Sequence, residues 1–246
     1  MSYRFLSKAG LLLHTLPTLI PSSCALCGIE DDALLCAHCE QRFFTHRPVR
    51  CQQCGISLHA FDAALPCAHC LQTNPDFDAT IVATDYVAPV DQLILALKFG
   101  HRLAIAPLLA RLLHDAMLQR QDASLPDILI PVPLGQQRLR ERGFNQALEI
   151  ARPLSRATGI ALGIRLLERT RDTAMQAQLP LKERHRNIRH AFVPTIKGEQ
   201  VFRNRHIGLV DDVCTSGNTL NEIAGVLKRY GATRVTNLIV ARTPAQ

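Results

Sequence analysis

Two groups of residues have the types and spacing for chemistry. The first is a run of cysteine pairs, Cys24/Cys27, Cys36/Cys39, Cys51/Cys54 and Cys67/Cys70, which takes eight of the nine cysteines, with eight residues between the first two pairs and twelve between the last two. A two-residue gap lets both sulfurs of one turn face a common point, and two such turns complete a tetrahedron around Zn²⁺. The expectation is two structural Zn²⁺ ions, in sequential Cys₄ sites or in an interleaved arrangement that pairs first with third and second with fourth. Four thiolates per metal leave no position open for water or substrate. About fifty residues make too small a core to fold unaided, and metal binding to such a site supplies roughly 10–16 kcal/mol. His38, His46, His59 and His69 lie among the cysteines and are surplus to two Cys₄ sites.

The second group is VDDVCTSGNT, residues 210–219. An apolar strand leads into two adjacent acids, a hydroxyl-rich turn containing Gly217, and a helix start. At the carboxyl end of a parallel strand, such a turn points backbone N–H groups at the crevice, and the helix N-terminus adds positive potential. Thr215, Ser216 and Thr219 can donate further hydrogen bonds, and Gly217 lets the backbone approach closely. Paired acids would repel a triphosphate, but carboxylates accept hydrogen bonds from sugar hydroxyls. Acids for a ribose beside amides for its 5-phosphate describe a phosphoribose site. The P-loop pattern GxxxxGK[ST] is absent.

The elements that must position these groups follow from periodicity. Residues 79–86 and 127–132 read as strands; residues 89–97, 105–118 and 146–158 read as helices, the last broken or kinked near Pro153. Residues 165–191 are polar, basic and poorly periodic, as in a long functional loop. The final unit is strand 206–210, loop 211–218, helix 219–230 stopped by Gly231, and strand 235–241, a βαβ unit that makes the sheet at least partly parallel. The expected fold is α/β, a mostly parallel sheet flanked by helices. The cysteine gap after Cys70 and the turn cluster Asn74-Pro75-Asp76 place a boundary near 73–78, giving a zinc-ribbon module over 1–75 and the α/β domain over 76–246.

The VDDVCTSGNT stretch resembles the 5-phosphoribosyl-1-pyrophosphate (PRPP) motif of type I phosphoribosyltransferases. That resemblance implies that Asp211 and Asp212 bind the ribose hydroxyls, and that Val213, Cys214, Thr215, Ser216, Gly217, Asn218 and Thr219 wrap the 5-phosphate. Purine-salvage members carry a further acid where this chain has Thr215, which argues against hypoxanthine or guanine as acceptor. Four further segments, PVPL at 131–134, GFNQ at 143–146 after the basic run 138–142, RTRDTAMQ at 169–176 and residues 184–192, are similar to the competence-associated ComF family. The cysteine pairs and LKFG at 97–100 agree with it. The resemblance implies a role in uptake or use of external DNA, with PRPP as ligand and single-stranded DNA or DNA-uptake proteins as partners.

Pyrophosphate departure needs cations, and the candidates are Lys98, Arg138, Arg142, Arg171 and Arg184, with Mg²⁺ bridging pyrophosphate and ribose oxygens. The balance of 28 Lys plus Arg against 21 Asp plus Glu, a net charge of +7, suits a polyanionic partner. A hydrophobic fraction of 47% excludes a disordered chain. The basic, apolar first twenty residues are interrupted by His14 and Pro17 and lead to no small-x-small cleavage site, which reads as a short amphipathic segment rather than a signal peptide. The cytoplasm is the expected compartment, and disulfides are disfavoured there.

Overall fold

The computed structural model describes residues 23–45, 48–58, 66–120, 124–170 and 191–244. Continuous apolar runs become the strands of one five-stranded sheet, as expected of strands covered on both faces. They are β1 (Ala79–Asp85), β2 (Ile128–Pro131), β3 (Ala161–Leu162), β6 (His206–Cys214) and β7 (Arg234–Arg242), in the order β1-β7-β6-β2-β3. Every pairing in it is parallel. A separate antiparallel pair, β4 (Leu167–Arg169) with β5 (Phe192–Pro194), flanks it.

Parallel strands need crossovers, and helices supply them. They are α3 (Val90–Lys98), α4 (Ile105–Leu118), α5 (Gln136–Arg142), α6 (Gln146–Thr158), α7 (Ile196–Phe202) and α8 (Asn218–Arg229), after two short helices in the cysteine segment, α1 (Ala37–Phe44) and α2 (Ala68–Thr73). Leu109 and Leu113 of α4 and Ile150 and Leu154 of α6 are fully buried. Ile207 and Leu209, two apart on β6 and therefore on one face, join a core cluster with Ile223 and Leu227 of α8, and with Cys51, Cys54 and Cys70.

Pro153 lies inside α6, which runs through it without a break. The basic run 138–142, which holds the cation candidates Arg138 and Arg142, lies on helix α5, none of whose residues is buried. The chain divides into two compact units, Met1–His46 and Arg47–Gln246. Cysteine spacing groups all four pairs into one module ending near 75, whereas packing separates the first two pairs from the last two. The amphipathic segment over 1–20, His46 and His59, most of the expected loop over 165–191, and Arg171 and Arg184 within it, lie outside the described residues. Among the described residues no helix is long and apolar enough to cross a membrane.

Candidate functional site: twin cysteine knuckles and an acidic crevice ringed by cations

Each half of the cysteine segment repeats one local plan. In the first knuckle Cys24 N–H donates to Ile29 O at 2.8 Å and Gly28 N–H to Cys24 O at 2.9 Å; in the second Cys51 N–H donates to Ile56 O and Gly55 N–H to Cys51 O, both at 2.9 Å. These bonds close a turn that aims two sulfurs at one point. A second chain segment then brings the remaining pair: Cys36 N–H donates to Cys24 Sγ at 3.4 Å and Cys67 N–H to Cys51 Sγ at 3.3 Å.

The resulting sets are Cys24, Cys27, Cys36, Cys39 and Cys51, Cys54, Cys67, Cys70, each with its four sulfurs within 4.8 Å of one another. The sites are therefore sequential, not interleaved. A Zn²⁺ tetrahedron with Zn–S of about 2.3 Å has S···S edges of about 3.8 Å. Cys27 to Cys36 is 3.7 Å, Cys54 to Cys67 is 3.6 Å and Cys51 to Cys70 is 3.9 Å. The electrostatics agree. Burial raises the Cys24 and Cys51 thiols, yet backbone amides pointed at them outweigh it and bring them down to about 6 and about 7. Burial and neighbouring sulfurs push Cys39 and Cys54 up to about 12, and Cys70 also upward. Each thiolate opposes the next, a conflict that a divalent cation removes. Both sets fit zinc.

The acids belong to the strand rather than to the loop, because β7 continues through Arg242 and keeps pairing: Asp211 lies opposite Ile239, Val213 opposite Ala241 and Cys214 opposite Arg242. The turn proper is Thr215–Gly217, and α8 begins one residue early, at Asn218, with Gly217 as its cap at φ 81°. Asp211 Oδ1 accepts from Asp212 N–H and Asp212 Oδ1 from Val213 N–H, both at 2.9 Å. Asp212 is 2% exposed. Its Oδ2 meets Lys98 Nζ at 2.6 Å, from the last turn of α3. Burial, then the neighbouring Asp212 charge, pushes the Asp211 carboxyl well above the usual carboxylate range, against the pull of Lys98.

These groups open onto a cavity of about 170 Å³ with Lys98, Arg138, Arg142 and Arg169 around Asp211 and Asp212. Arg142 donates to Gln146 Oε1 and its guanidinium carbon sits 5.3 Å from the centroid of the Phe99 ring. Burial lowers the pKa of Arg142, and the Asp212 and Asp211 carboxylates counter it. Val213 and Thr219 also face this cavity, whereas Cys214, Ser216, Gly217 and Asn218 border a second cavity of about 240 Å³, next to Cys54 and Cys70. Thr215 is exposed. Burial holds the Cys214 thiol up at about 11.

Sequence reasoning missed Arg169 and Gln146 in the first cavity. Arg169 sits in a recognisable motif, but its placement depends on the β4–β5 pair, which short, non-alternating segments do not announce. It also missed Arg242, a buried arginine at the end of β7 whose guanidinium donates to the carbonyls of Cys214 and Thr215 at the start of the turn.

Among known proteins, the double zinc ribbon domain family matches residues 15–71. The DNA utilization protein YhgH of Escherichia coli O157:H7 is 38% identical over 231 residues, 91% of this chain and 98% of that protein. Competence protein F of Haemophilus influenzae is 33% identical over 204 residues, 82% of this chain and 87% of that one. Of solved structures, a purine phosphoribosyltransferase from Pyrococcus horikoshii is 18% identical, covers 66% of this chain and 77% of its own and gives a TM-score of 0.30, a likeness too slight to build on. With near-complete coverage by sequence, and a double zinc ribbon ahead of a parallel sheet, the chain belongs to the family of the DNA utilization protein YhgH and competence protein F.

Proposed function

We propose that the crevice binds PRPP and that the protein transfers its phosphoribosyl group to an acceptor in the handling of external DNA, in the cytoplasm. The observation that carries this reading is the fixed carboxylate pair Asp211 and Asp212, just ahead of the Thr215–Gly217 turn, in a cavity lined by Lys98, Arg138, Arg142 and Arg169. Residues 76–246 are, on this reading, a phosphoribosyltransferase-like domain, and residues 1–75 its double ribbon.

The acids accept hydrogen bonds from the ribose hydroxyls, and the turn from Val213 to Thr219, whose two ends Val213 and Thr219 line this cavity, holds the 5-phosphate. In the transfer, the C1–O bond breaks with its electron pair leaving on pyrophosphate, the acceptor atom bonds to C1, and the acceptor's proton passes to water. Arg138, Arg142 and Arg169, with Arg171 and Arg184, meet the charge that grows on the leaving group, so their contacts strengthen as the bond breaks. Lys98 has a prior task, to neutralise Asp212 at 2.6 Å. Among the described residues the metal-competent side-chain clusters are the two Cys₄ sets, which suits Mg²⁺ carried mainly by phosphate oxygens and water rather than by a protein cage. When bound, Mg²⁺ supplies charge neutralisation between pyrophosphate and ribose.

A second reading, a non-catalytic accessory that senses PRPP or binds single-stranded DNA, is favoured by one feature beside Lys98 and Arg142 of the cavity. Phe99 is 65% exposed beneath the Arg142 guanidinium, and His101 packs edge-on against Phe144 at 5.9 Å. Exposed aromatic and cationic groups together suit unpaired bases.

Titration calorimetry with PRPP and Mg²⁺, followed by pyrophosphate release across nucleobases, amines and single-stranded DNA, tests both. Saturable PRPP binding lost in Asp211→Ala/Asp212→Ala, with release in the presence of one acceptor class, is the expected result. Tight binding with silence for every acceptor selects the accessory, and retained affinity in the double variant removes the PRPP site.

A further inference from the structure

Arg242 is the last residue of β7 and, although an arginine, only 7% exposed. Its partners are backbone carbonyls. Nη1 donates to Cys214 O at 3.0 Å and to Thr215 O, while Nε donates to Cys54 O at 3.3 Å. One planar fork therefore joins the opening of the phosphate turn to the carbonyl of a cysteine in the second Cys₄ set. The neighbouring Thr243 N–H also donates to Cys214 O, at 3.0 Å.

The direction of these bonds matters more than their number. In a trans peptide the C=O of one residue and the N–H of the next point opposite ways. Holding the Cys214 and Thr215 carbonyls toward Arg242 turns the Thr215 and Ser216 amides to the opposite side, where they could meet an anion. The other end of the fork rests on Cys54, whose carbonyl is one bond from the Gly55 turn and whose sulfur belongs to the metal set. Arginine suits the task because its donors have fixed relative directions, which lysine lacks.

We propose that Arg242 is a positioning residue that couples the second Cys₄ site to the phosphate turn, so that metal at Cys51, Cys54, Cys67 and Cys70 sets the turn's order and its affinity for the 5-phosphate. This rests on the PRPP reading for its ligand and on the fork's geometry for its coupling. Coupling is reciprocal: PRPP must slow metal loss from the second site as much as metal there favours PRPP.

The test uses the full zinc-loaded chain, its Arg242→Met and Arg242→Lys variants, and Cys24→Ser/Cys27→Ser as a control that breaks the first set. Three quantities are read: amide exchange over residues 213–219, PRPP affinity, and the rate of zinc transfer to a colorimetric chelator with and without PRPP. Arg242→Met is expected to speed exchange in the turn and to weaken PRPP by roughly tenfold or more, the scale of hydrogen bonds to a charged group. It should also abolish PRPP's slowing of zinc release, while the control keeps all three. If Arg242→Met does not fold, Arg242→Lys decides, with a wild-type melt but faster exchange in the turn. Wild-type protection in the variants, or zinc release indifferent to Arg242, overturns the coupling. Failure of the wild type to bind PRPP instead overturns the PRPP reading, and amide exchange then judges the brace alone.

Discussion

Gly28 and Gly55 stand at the same place in their knuckles, each directly after a Cys-x-x-Cys pair and each with positive φ, 75° and 72°. A Cβ on Gly28 would meet nothing within 4 Å, whereas one on Gly55 would lie 2.5 Å from Val82 Cγ2 and 3.0 Å from Thr80 Cγ2. The same contrast runs through the rest of the two knuckles. In the second, Thr80 N–H donates to Gln52 O at 2.9 Å, Thr80 Oγ1 to Gln53 O at 2.6 Å, and Arg120 Nη2 to Gln52 O at 3.3 Å. Arg50 pairs with Asp85 at 2.9 Å at the end of β1. In the first, Arg42 lies over its own neighbour Phe43. Two copies of one metal-binding plan thus have different standing: the first lies in a compact unit of its own, and the second is part of the α/β core.

The largest test of that contrast is removal of a metal set. Cys51→Ser/Cys54→Ser is expected to unfold the α/β unit, since the roughly 10–16 kcal/mol of metal binding exceeds the stability of most domains. Cys24→Ser/Cys27→Ser should leave its thermal transition unchanged in calorimetry. Equal losses from both variants would erase the distinction. Native mass spectrometry during chelator titration should find two zinc ions per chain, with an intermediate that holds one, retained at the second set.

Subtler substitutions sharpen it. Gly28→Ala should cost about 1 kcal/mol, the ordinary penalty of a left-handed residue, and Gly55→Ala about 3 kcal/mol, because overpacking against Val82 adds to it. Arg50→Met should cost about 2 kcal/mol through lost bonds to Asp85, Gly55 O and Ser57 Oγ; Arg42→Met should be near neutral. Denaturant midpoints at constant slope decide both pairs.

The smallest effect is a pH dependence confined to the α/β unit. Burial lowers the pKa of His206, whose Nε2 lies 2.8 Å from Thr236 Oγ1. Its contribution is fully present above the unfolded value of about 6.5 and is lost as pH falls from there through the lowered folded value, because the unfolded chain takes the proton first. His206→Gln should flatten the melting temperature of this unit across that window, in excess zinc, without altering the first knuckle.

Much of this molecule is legible in its sequence because the signals are local. A Cys-x-x-Cys turn declares its geometry within four residues, and the apolar-rich runs of 79–86 and 206–210 declare strands. The acids and the glycine turn sit together in one strand–turn–helix unit. What is not legible depends on distant partners. The extension of β6 through the acids follows from the length of β7, and the short β3, β4 and β5 lack periodicity of their own. Arg242 reads as a charge at the end of a strand until Cys54, 188 residues earlier, is beside it. The pairing of the cysteine sets is likewise ambiguous by spacing and settled by the fold.

That Asp211 and Asp212 stand on a strand, hydrogen-bonded through Cys214, bears on the selectivity of the proposed PRPP site. Carboxylates on a mobile loop could re-aim to suit a poorer ligand; these are ordered when the chain folds and cannot. If the crevice takes PRPP as proposed, a sugar that fails to present a hydroxyl to both would leave a desolvated acceptor without a donor, and rigidity itself would discriminate ribose from 2-deoxyribose. In a protein of a family associated with DNA, such a crevice would separate a ribose-bearing ligand from the deoxyribose-bearing polymer.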